Sequence, residues 1–323
     1  MRAVVCQKFA SLDHLVVEEQ PSEPCGPRRL RVAVEAAGVN FVDALFVQGR
    51  YQIKPPLPFV AGSELAGTVT EVGAGVDGWA VGDRVMANVG LGGFCDEAVI
   101  SAIQAVRVPD GIDSRTAATL GQSYCTAWFA LHRRARIEPG QHVLVLGAGG
   151  GVGLAATDVA TAAGATVIAA ASTRDKRDLA VSRGATHVID SSTDDVKARA
   201  RELSGGGVDI IVDPVGGPTT ETALRALAFD GQLLIIGFAA GEIPRLPANQ
   251  ILLRNRRVIG VDWGMWALEH PLENAELLRE VLAAIVDGEL HPVAPRTYRL
   301  ADAALALADL EQRRVVGKIA LVP

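Results

Sequence analysis

Cysteine is scarce in this chain of 323 residues, with four in all, at positions 6, 25, 95 and 125. No two form a C-x-x-C pair, which excludes the usual thiolate zinc sites and a dithiol redox motif, and the thiols are expected to be reduced and mostly structural. Aromatic residues make up only 5%, and there is no basic excess: 31 Lys and Arg stand against 37 Asp and Glu, a net charge of −6. Such a chain has no general attraction to nucleic acid or to an anionic membrane, so neither is expected as a partner. Long apolar runs are missing too. The opening MRAVVCQKF, with Lys8 and then Asp13, lacks the apolar core of a secretory signal, and a cytoplasmic location is the expectation. The longest weakly charged stretch, Gln141 to Ser172, is interrupted by Asp158, by a glycine cluster from 147 to 153 and by Gly164, which argues against a membrane span. The six histidines show no i, i+4 pairing with a glutamate partner, so none is assigned to catalysis or to a metal.

What is present is apolar and glycine-rich: 49% hydrophobic residues and 34 glycines, in a length that suits about two domains. The first hundred residues carry short β-patterned runs, Leu30 to Glu35, Leu65 to Val72 and Asp83 to Ala87, between Gly and Pro turns. A twisted, mostly antiparallel domain is expected there. Ser114 to Leu131 is Ala-rich and reads as helix, and from His142 onward apolar strands alternate with amphipathic stretches. The strands expected are Val143 to Leu146, Thr166 to Ala170, His187 to Ile189, Ile210 to Val212, Gln232 to Gly237 and Val258 to Val261. Together they predict an α/β fold with a doubly wound parallel sheet of six strands. Two helical patterns follow, Glu273 to Asp287 and Ala301 to Leu310, and then a strand, Gly317 to Leu321, which is expected to return to the first domain. The predicted division is 1–120 with 265–323 for the substrate domain and 121–264 for the cofactor domain, with a cleft dividing them.

The run Val143 to Gly153, VLVLGAGGGVG, is a strand, a glycine turn and the start of an Ala-rich helix, with a further strand at Thr166. In the dinucleotide fingerprint, Ala148 stands for the first glycine, Gly150 lets a pyrophosphate approach and Gly153 lets helix and strand pack. Gly150, Gly151, Val152 and Gly153 are therefore expected at the pyrophosphate, on the free N–H groups of a helix N-terminus. The alternative is an ordinary turn of a flavodoxin-like domain. An NAD site has an acidic residue about 20 positions further on. Here those positions read Ala170, Ala171 and Ser172, followed by Thr173, Arg174, Lys176 and Arg177. Hydroxyls and cations suit a 2′-phosphate, so NADP(H) is favoured over NAD, with Ser172, Thr173, Arg174 and Lys176 as its contacts. The competing reading is a solvated helix start, its charge diluted by Asp175 and Asp178.

The passage Gly62-Ser63-Glu64-Leu65-Ala66-Gly67, the later Gly82-Asp83-Arg84-Val85, the turn Gly150 to Gly153, Asp213-Pro214-Val215-Gly216 and the closing Gly317-Lys318-Ile319 resemble the medium-chain dehydrogenase/reductase superfamily. Within it the chain resembles the zinc-free NADPH:quinone oxidoreductases, the zeta-crystallin-like branch. The resemblance implies a GroES-like substrate domain built from both chain ends beside a Rossmann domain. It also implies no zinc: at the positions that match the superfamily's catalytic ligands stand Asn40, Ser63 and Gln122, amides and a hydroxyl. Without a Lewis acid to help deprotonate an alcohol, the favoured direction is hydride delivery to an acceptor already electrophilic, a quinone or an activated alkene.

By the same carry-over Asn40 contacts the nicotinamide or the acceptor carbonyl, Tyr51 lines the quinone site, and Gln122 and Thr126 lie near the nicotinamide, with Tyr124 a weaker candidate donor. The structural alternatives are a turn-forming Asn, a rim Tyr and a capping Thr. Asp43 is expected to cap the following helix. Val215, Gly216, Gly237 and Phe238 follow strand ends that floor the nicotinamide, Trp263 lines the cleft or packs in the core, and Arg313 matches an arginine near the cofactor or is a solvated helix end. The resemblance implies a homodimer paired through the sixth strand. Two other functions stay open. One is an enoyl reductase acting on enones, alkenals or acyl-CoA, whose phosphates Arg50, Lys54, Arg254, Arg256 and Arg257 would attract. The other is a non-catalytic NADPH-binding scaffold or redox sensor.

Overall fold

A computed structural model describes every residue, Met1 to Pro323. The chain forms two compact units, the first made of Met1–Gln122, Glu269–Val286 and Val293–Pro323, the second of Ser123–Leu268 and Asp287–Pro292. The expected boundaries had left residues 287–292 with the first unit. They belong to the second because Leu290 is buried, the His291 N–H donates to Asp158 Oδ2 at 2.6 Å, and Arg183 donates to the His291 carbonyl.

The first unit opens with β1 (Arg2–Cys6), β2 (Val16–Glu19), β3 (Arg29–Val39), the short helix α1 (Phe41–Val47), β4 (Phe59–Val60), β5 (Glu64–Val72), β6 (Arg84–Asn88), β7 (Glu97–Ser101), β8 (Ala105–Arg107) and α2 (Ser114–Ala117). In β3, Leu30, Val32 and Val34 alternate inward, and Ala36 to Val39 are then buried without a break, so the strand passes from a one-sided surface into the core. Pairing is antiparallel throughout this part: β3 with β5 and β7, β5 with β6, and β6 with β8.

The junction helix α3 (Gly121–Trp128) continues as a π-helical stretch, Phe129–Ala135. The expected single helix from Ser114 to Leu131 is broken between Ala117 and Gly121. The second helix starts at Gly121, where a Cβ would lie 2.0 Å from the Asn88 carboxamide oxygen.

The second unit alternates β9 (His142–Leu146), α4 (Gly151–Ala162), β10 (Thr166–Ala171), α5 (Arg174–Ser182), β11 (His187–Asp190), α6 (Val196–Leu203), β12 (Val208–Asp213), α7 (Gly217–Ala223), β13 (Leu227–Ile235), α8 (Ala248–Leu252), β14 (Arg257–Gly260) and α9 (Trp263–Glu269). The six strands lie in the order β11-β10-β9-β12-β13-β14, all parallel, which is the doubly wound arrangement expected. Leu144, Leu146, Ile168, Ile189, Ile211 and Leu233 form its buried core, the near-continuous apolar strands of a sheet covered on both faces.

The chain closes with α10 (Pro271–Val286), β15 (Arg296–Arg299), α11 (Ala303–Glu311) and β16 (Ile319–Val322). β16 pairs antiparallel with β3, Ile319 opposite Val39, so the C-terminus does return to the first unit. β15, which no strand pattern announced, runs parallel to β16 and presents Tyr298 to the core formed by Val39, Phe94, Ile319 and Leu321.

Candidate active site

In the second unit the chain leaves β9 through Gly147, whose φ of +61° is the left-handed conformation that glycine adopts without strain. The tight turn therefore falls one residue before Ala148, the position expected to stand for the first glycine. Gly150 is the N-cap of α4, and no side chain caps the helix start, which leaves the first-turn N–H groups free for an anion. Gly153 is required by contact: a Cβ there would lie 2.3 Å from the Gly147 carbonyl oxygen. Gly151 and Val152 complete the first turn.

Of the predicted phosphate residues that follow β10, Lys176 reaches this turn. A Cβ on Gly149 would fall 2.5 Å from Lys176 Cβ, so the lysine stem lies across the glycine turn. Thr173 caps α5, its hydroxyl accepting the Lys176 N–H at 3.4 Å, and Ser172 is exposed beside it. Arg174 is 87% exposed and pairs with Asp178 at 3.5 Å. Arg177, read with the other cations here but not among the expected contacts, donates to the Ala171 carbonyl at 3.1 Å and pairs with Asp190 at 2.8 Å. Hydrogen bonds from Ser192, then the charge and hydrogen bond of Arg177, hold the Asp190 carboxyl below its ordinary range.

After β12, the buried Asp213 carboxylate accepts the N–H groups of Val215 at 2.8 Å and Gly216 at 3.0 Å and the Thr220 hydroxyl, fixing that loop. Burial pushes the Asp213 carboxyl up against these bonds. Gly216, at φ +76°, lies against Phe238, and Gly237 against the Pro214 carbonyl, so the loops after β12 and β13 are in contact. Thr126 is buried in α3, and Trp263 is buried at the start of α9. Tyr124 is not an available donor. Its hydroxyl donates to Asp158 Oδ2 at 2.7 Å in the interior, and burial followed by the Asp158 charge raises its pKa well above that of a free phenol.

In the first unit, Asn40, Asp43, Ser63, Glu64 and Lys318 form one buried polar cluster. Asn40 is the N-cap of α1, and Asp43, inside the first turn, reaches back to accept the Asn40 N–H at 2.8 Å. Asn40 Nδ2 donates to Glu64 Oε1 at 2.7 Å and is 3.4 Å from Ser63 Oγ, while Lys318 Nζ donates to Asn40 Oδ1 at 2.6 Å and to Glu64 Oε1 at 3.3 Å. Glu64 Oε2 accepts the Gln122 N–H at 2.8 Å, so Gln122 joins through its backbone. Gly38 makes the room: a Cβ there would be 2.4 Å from Glu64 Oε1. Burial pushes the Asp43 carboxyl up to about 7, against the Asn40 N–H and a Ser63 hydrogen bond.

Sequence reasoning used Glu64 and Lys318 only as family landmarks, with no site role, and did not use Asn88. Each of the two charged residues is an isolated charge in an apolar strand, Ser63-Glu64-Leu65-Ala66 and Lys318-Ile319-Ala320-Leu321, a pattern that signals a buried partner. Asn88, across from Glu64 in the β5–β6 register, has both carboxamide atoms buried without a partner.

Tyr51 follows the other end of α1 from Asn40, its N–H donating to the Leu45 carbonyl at 3.2 Å and its ring tilted against Phe46 with centroids 4.6 Å apart. Arg313 is exposed in a left-handed turn after α11. Of the cations considered for acyl-CoA, Arg50 pairs with Glu311, and Arg256 is buried, donating to the Gln250 and Leu227 carbonyls, so Arg256 is not at an entrance.

The donor set at the zinc-equivalent positions does not fit the metal. Asn40 and Ser63 offer an amide and a hydroxyl, the nearby Glu64 carboxylate is committed to Lys318, Asn40 and Gln122, and no group of three or more His, Cys, Asp or Glu is placed to hold an ion.

Residues 26–127 match the alcohol dehydrogenase GroES-like domain, and residues 151–282 the zinc-binding dehydrogenase family. The chain is 36% identical over 322 residues to quinone oxidoreductase-like protein 2 of Rattus norvegicus, covering 99% of this chain and 91% of the relative. This protein belongs to the medium-chain dehydrogenase/reductase superfamily. Within the superfamily it falls in the quinone oxidoreductase-like branch. The solved Escherichia coli quinone oxidoreductase complexed with NADPH superposes with a TM-score of 0.92 at 28% identity over 100% of both chains. The CurK enoyl reductase does so with a TM-score of 0.89 at 25% identity, over 99% of this chain and 98% of that one. No helix of this superfamily member is long and apolar enough to cross a membrane.

Proposed function

We propose that the protein is an NADPH-dependent reductase of quinones that works without a metal. The observation that carries this reading is the neutral amide of Asn40, held by a buried Glu64–Lys318 pair, at a position where a zinc enzyme of the superfamily would present a metal ligand. Such a site can donate a hydrogen bond to an acceptor oxygen but cannot strip a proton from an alcohol as a metal-bound one does.

The glycine turn, with α4 behind it and Lys176 across it, suits a dinucleotide phosphate, and β10 ends in Ala171 and Ser172 where an NAD site has an acidic residue. NADPH when bound supplies a hydride; the quinone takes it with one proton and leaves as the hydroquinone. In this reading Asn40 orients the acceptor oxygen and stabilises its developing charge, and Val215, Gly216, Gly237 and Phe238 seat the nicotinamide. The NADPH complex of the Escherichia coli quinone oxidoreductase supports the cofactor. The likeness to CurK keeps enoyl reduction as the second reading. We also propose that the sheet edge at β14, where Val258 is 38% exposed, pairs with a second copy, and that the four free cysteines belong in a reducing cytoplasm.

Anaerobic oxidation of NADPH by the purified protein, with 9,10-phenanthrenequinone, 1,4-benzoquinone, 2-cyclohexenone and crotonyl-CoA in parallel and NADH as control, tests the reading. Turnover confined to the quinones supports it. Preference for the enone or thioester moves the protein to enoyl reduction, and tight NADPH binding with no turnover favours a scaffold or sensor.

A further inference from the structure

Lys318 lies directly opposite Asn40 when the β16–β3 register, Ile319 against Val39, is carried one step further. Gly317, at φ +84°, turns the chain so that this lysine enters the interior, where its side chain is 9% exposed and that of Glu64 is 2% exposed. A buried ion pair is a poor device for stability, since desolvating two charges offsets most of their attraction. Its geometry here defines something else.

A primary carboxamide has two ends of nearly equal shape and opposite function: one accepts, the other donates. In Asn40 the accepting end faces the Lys318 ammonium at 2.6 Å and the donating end faces the Glu64 carboxylate at 2.7 Å. The reversed amide would set N–H groups against an ammonium and a carbonyl against a carboxylate. Only one orientation is satisfied, and both contacts that select it are charge-assisted. Glu64 is itself anchored by the Gln122 N–H and confined by Gly38, and Asp43 holds the Asn40 backbone at the helix start. With Oδ1 engaged by Lys318 and one Nδ2–H by Glu64, Asn40 is left with its second Nδ2–H, whose contact with Ser63 is long at 3.4 Å.

We infer that Lys318 and Glu64 are positioning residues that lock the Asn40 carboxamide with an N–H, not its oxygen, available to the acceptor. This rests on the reading of Asn40 as the group that contacts the acceptor. The pair sets the direction of a hydrogen bond and touches neither cofactor nor acceptor itself.

The test is steady-state turnover of 9,10-phenanthrenequinone with NADPH by the full chain, comparing N40A, K318M, K318Q, E64Q/K318M and N40A/K318M, with NADPH affinity and thermal melting measured for each. K318M is expected to lower kcat about tenfold with NADPH affinity unchanged, and K318Q, which retains a donor for Asn40 Oδ1, to recover part of that loss. Where K318M alone strands the Glu64 charge and does not fold, E64Q/K318M keeps the interior neutral and is expected to show the same loss of kcat. The deciding value is N40A/K318M: once Asn40 is gone, removing Lys318 should cost no more than about twofold further. Independent, multiplying losses overturn the inference, as does a near-normal kcat in a folded K318M or E64Q/K318M while N40A is impaired. An N40A variant that turns over normally overturns both the inference and the reading of Asn40 beneath it.

Discussion

The glycine turn of the second unit is built from contiguous residues and gains its binding capacity from space and exposed N–H groups. The polar cluster of the first unit gathers Asn40, Glu64 and Lys318, up to 278 positions apart, and buries two opposite charges. In the turn, Gly153 has no room for a Cβ against the Gly147 backbone, and Gly147 takes a positive φ. The cluster depends on the chemical identity of each member, because every buried donor or acceptor left without its partner costs free energy.

Four measurements sharpen or break this contrast. Glu64→Ala should have the largest effect, about 4 kcal/mol of lost stability by denaturant unfolding, because it leaves the Lys318 cation buried and unpaired. Recovery of most of that loss on adding Lys318→Met would confirm that the stranded charge, and not a cavity, is responsible. Gly153→Val should cost about 3 kcal/mol and abolish NADPH binding, since its Cβ meets the Gly147 backbone, which cannot yield as a flexible side chain can.

Asp43 supplies a pH-dependent effect. Its folded pKa of about 7 lies above the ordinary value of 3.8, so the folded state keeps this proton after the unfolded chain has lost it. Stability from this group is therefore full below the ordinary value and is lost as pH rises towards 7. Relative to Asp43→Asn, which keeps an acceptor for the Asn40 N–H, the wild type should lose about 2 kcal/mol between about pH 5 and pH 7.5 in melting experiments. A constant difference across that range would show that the carboxyl is ionised throughout. The smallest effect expected is at the rim of the glycine turn: Arg174→Ala with Lys176→Ala should reduce the preference for NADPH over NADH about tenfold in kcat/KM and leave melting within about 0.5 kcal/mol. An unchanged preference would pass the selectivity to other groups.

The glycine turn and its sheet were legible because their signals are local. A strand, a turn and a helix follow one another within residues 142–162, and apolar runs at near-regular spacing mark the remaining parallel strands. Even there the register slipped by one residue, since the need for a positive φ falls on Gly147 and is set by Val215, whose Cγ2 would lie 2.9 Å from a Cβ at 147. Asn88 leaves room for no side chain at position 121, and Asp158, a residue one helix away, takes the Tyr124 hydroxyl. Asn40 was legible as a candidate only through resemblance; Glu64 and Lys318 were legible as charges that need buried partners, and the sequence did not show that they meet each other and Asn40.

By itself the sequence determined the alternation of strand and helix that yields a doubly wound sheet, the phosphate-ready turn and the absence of thiolate and imidazole ligands at the expected metal position, because each is a property of neighbouring residues or of residue type. Tertiary structure alone decided which charges are buried together, which partners each end of the Asn40 amide meets, and that residues 287–292 leave the C-terminal segment to dock on Asp158 and Arg183. The reason is physical: a charge or an amide acquires its role from the partner it meets on burial, and strand pairing chooses that partner across hundreds of residues.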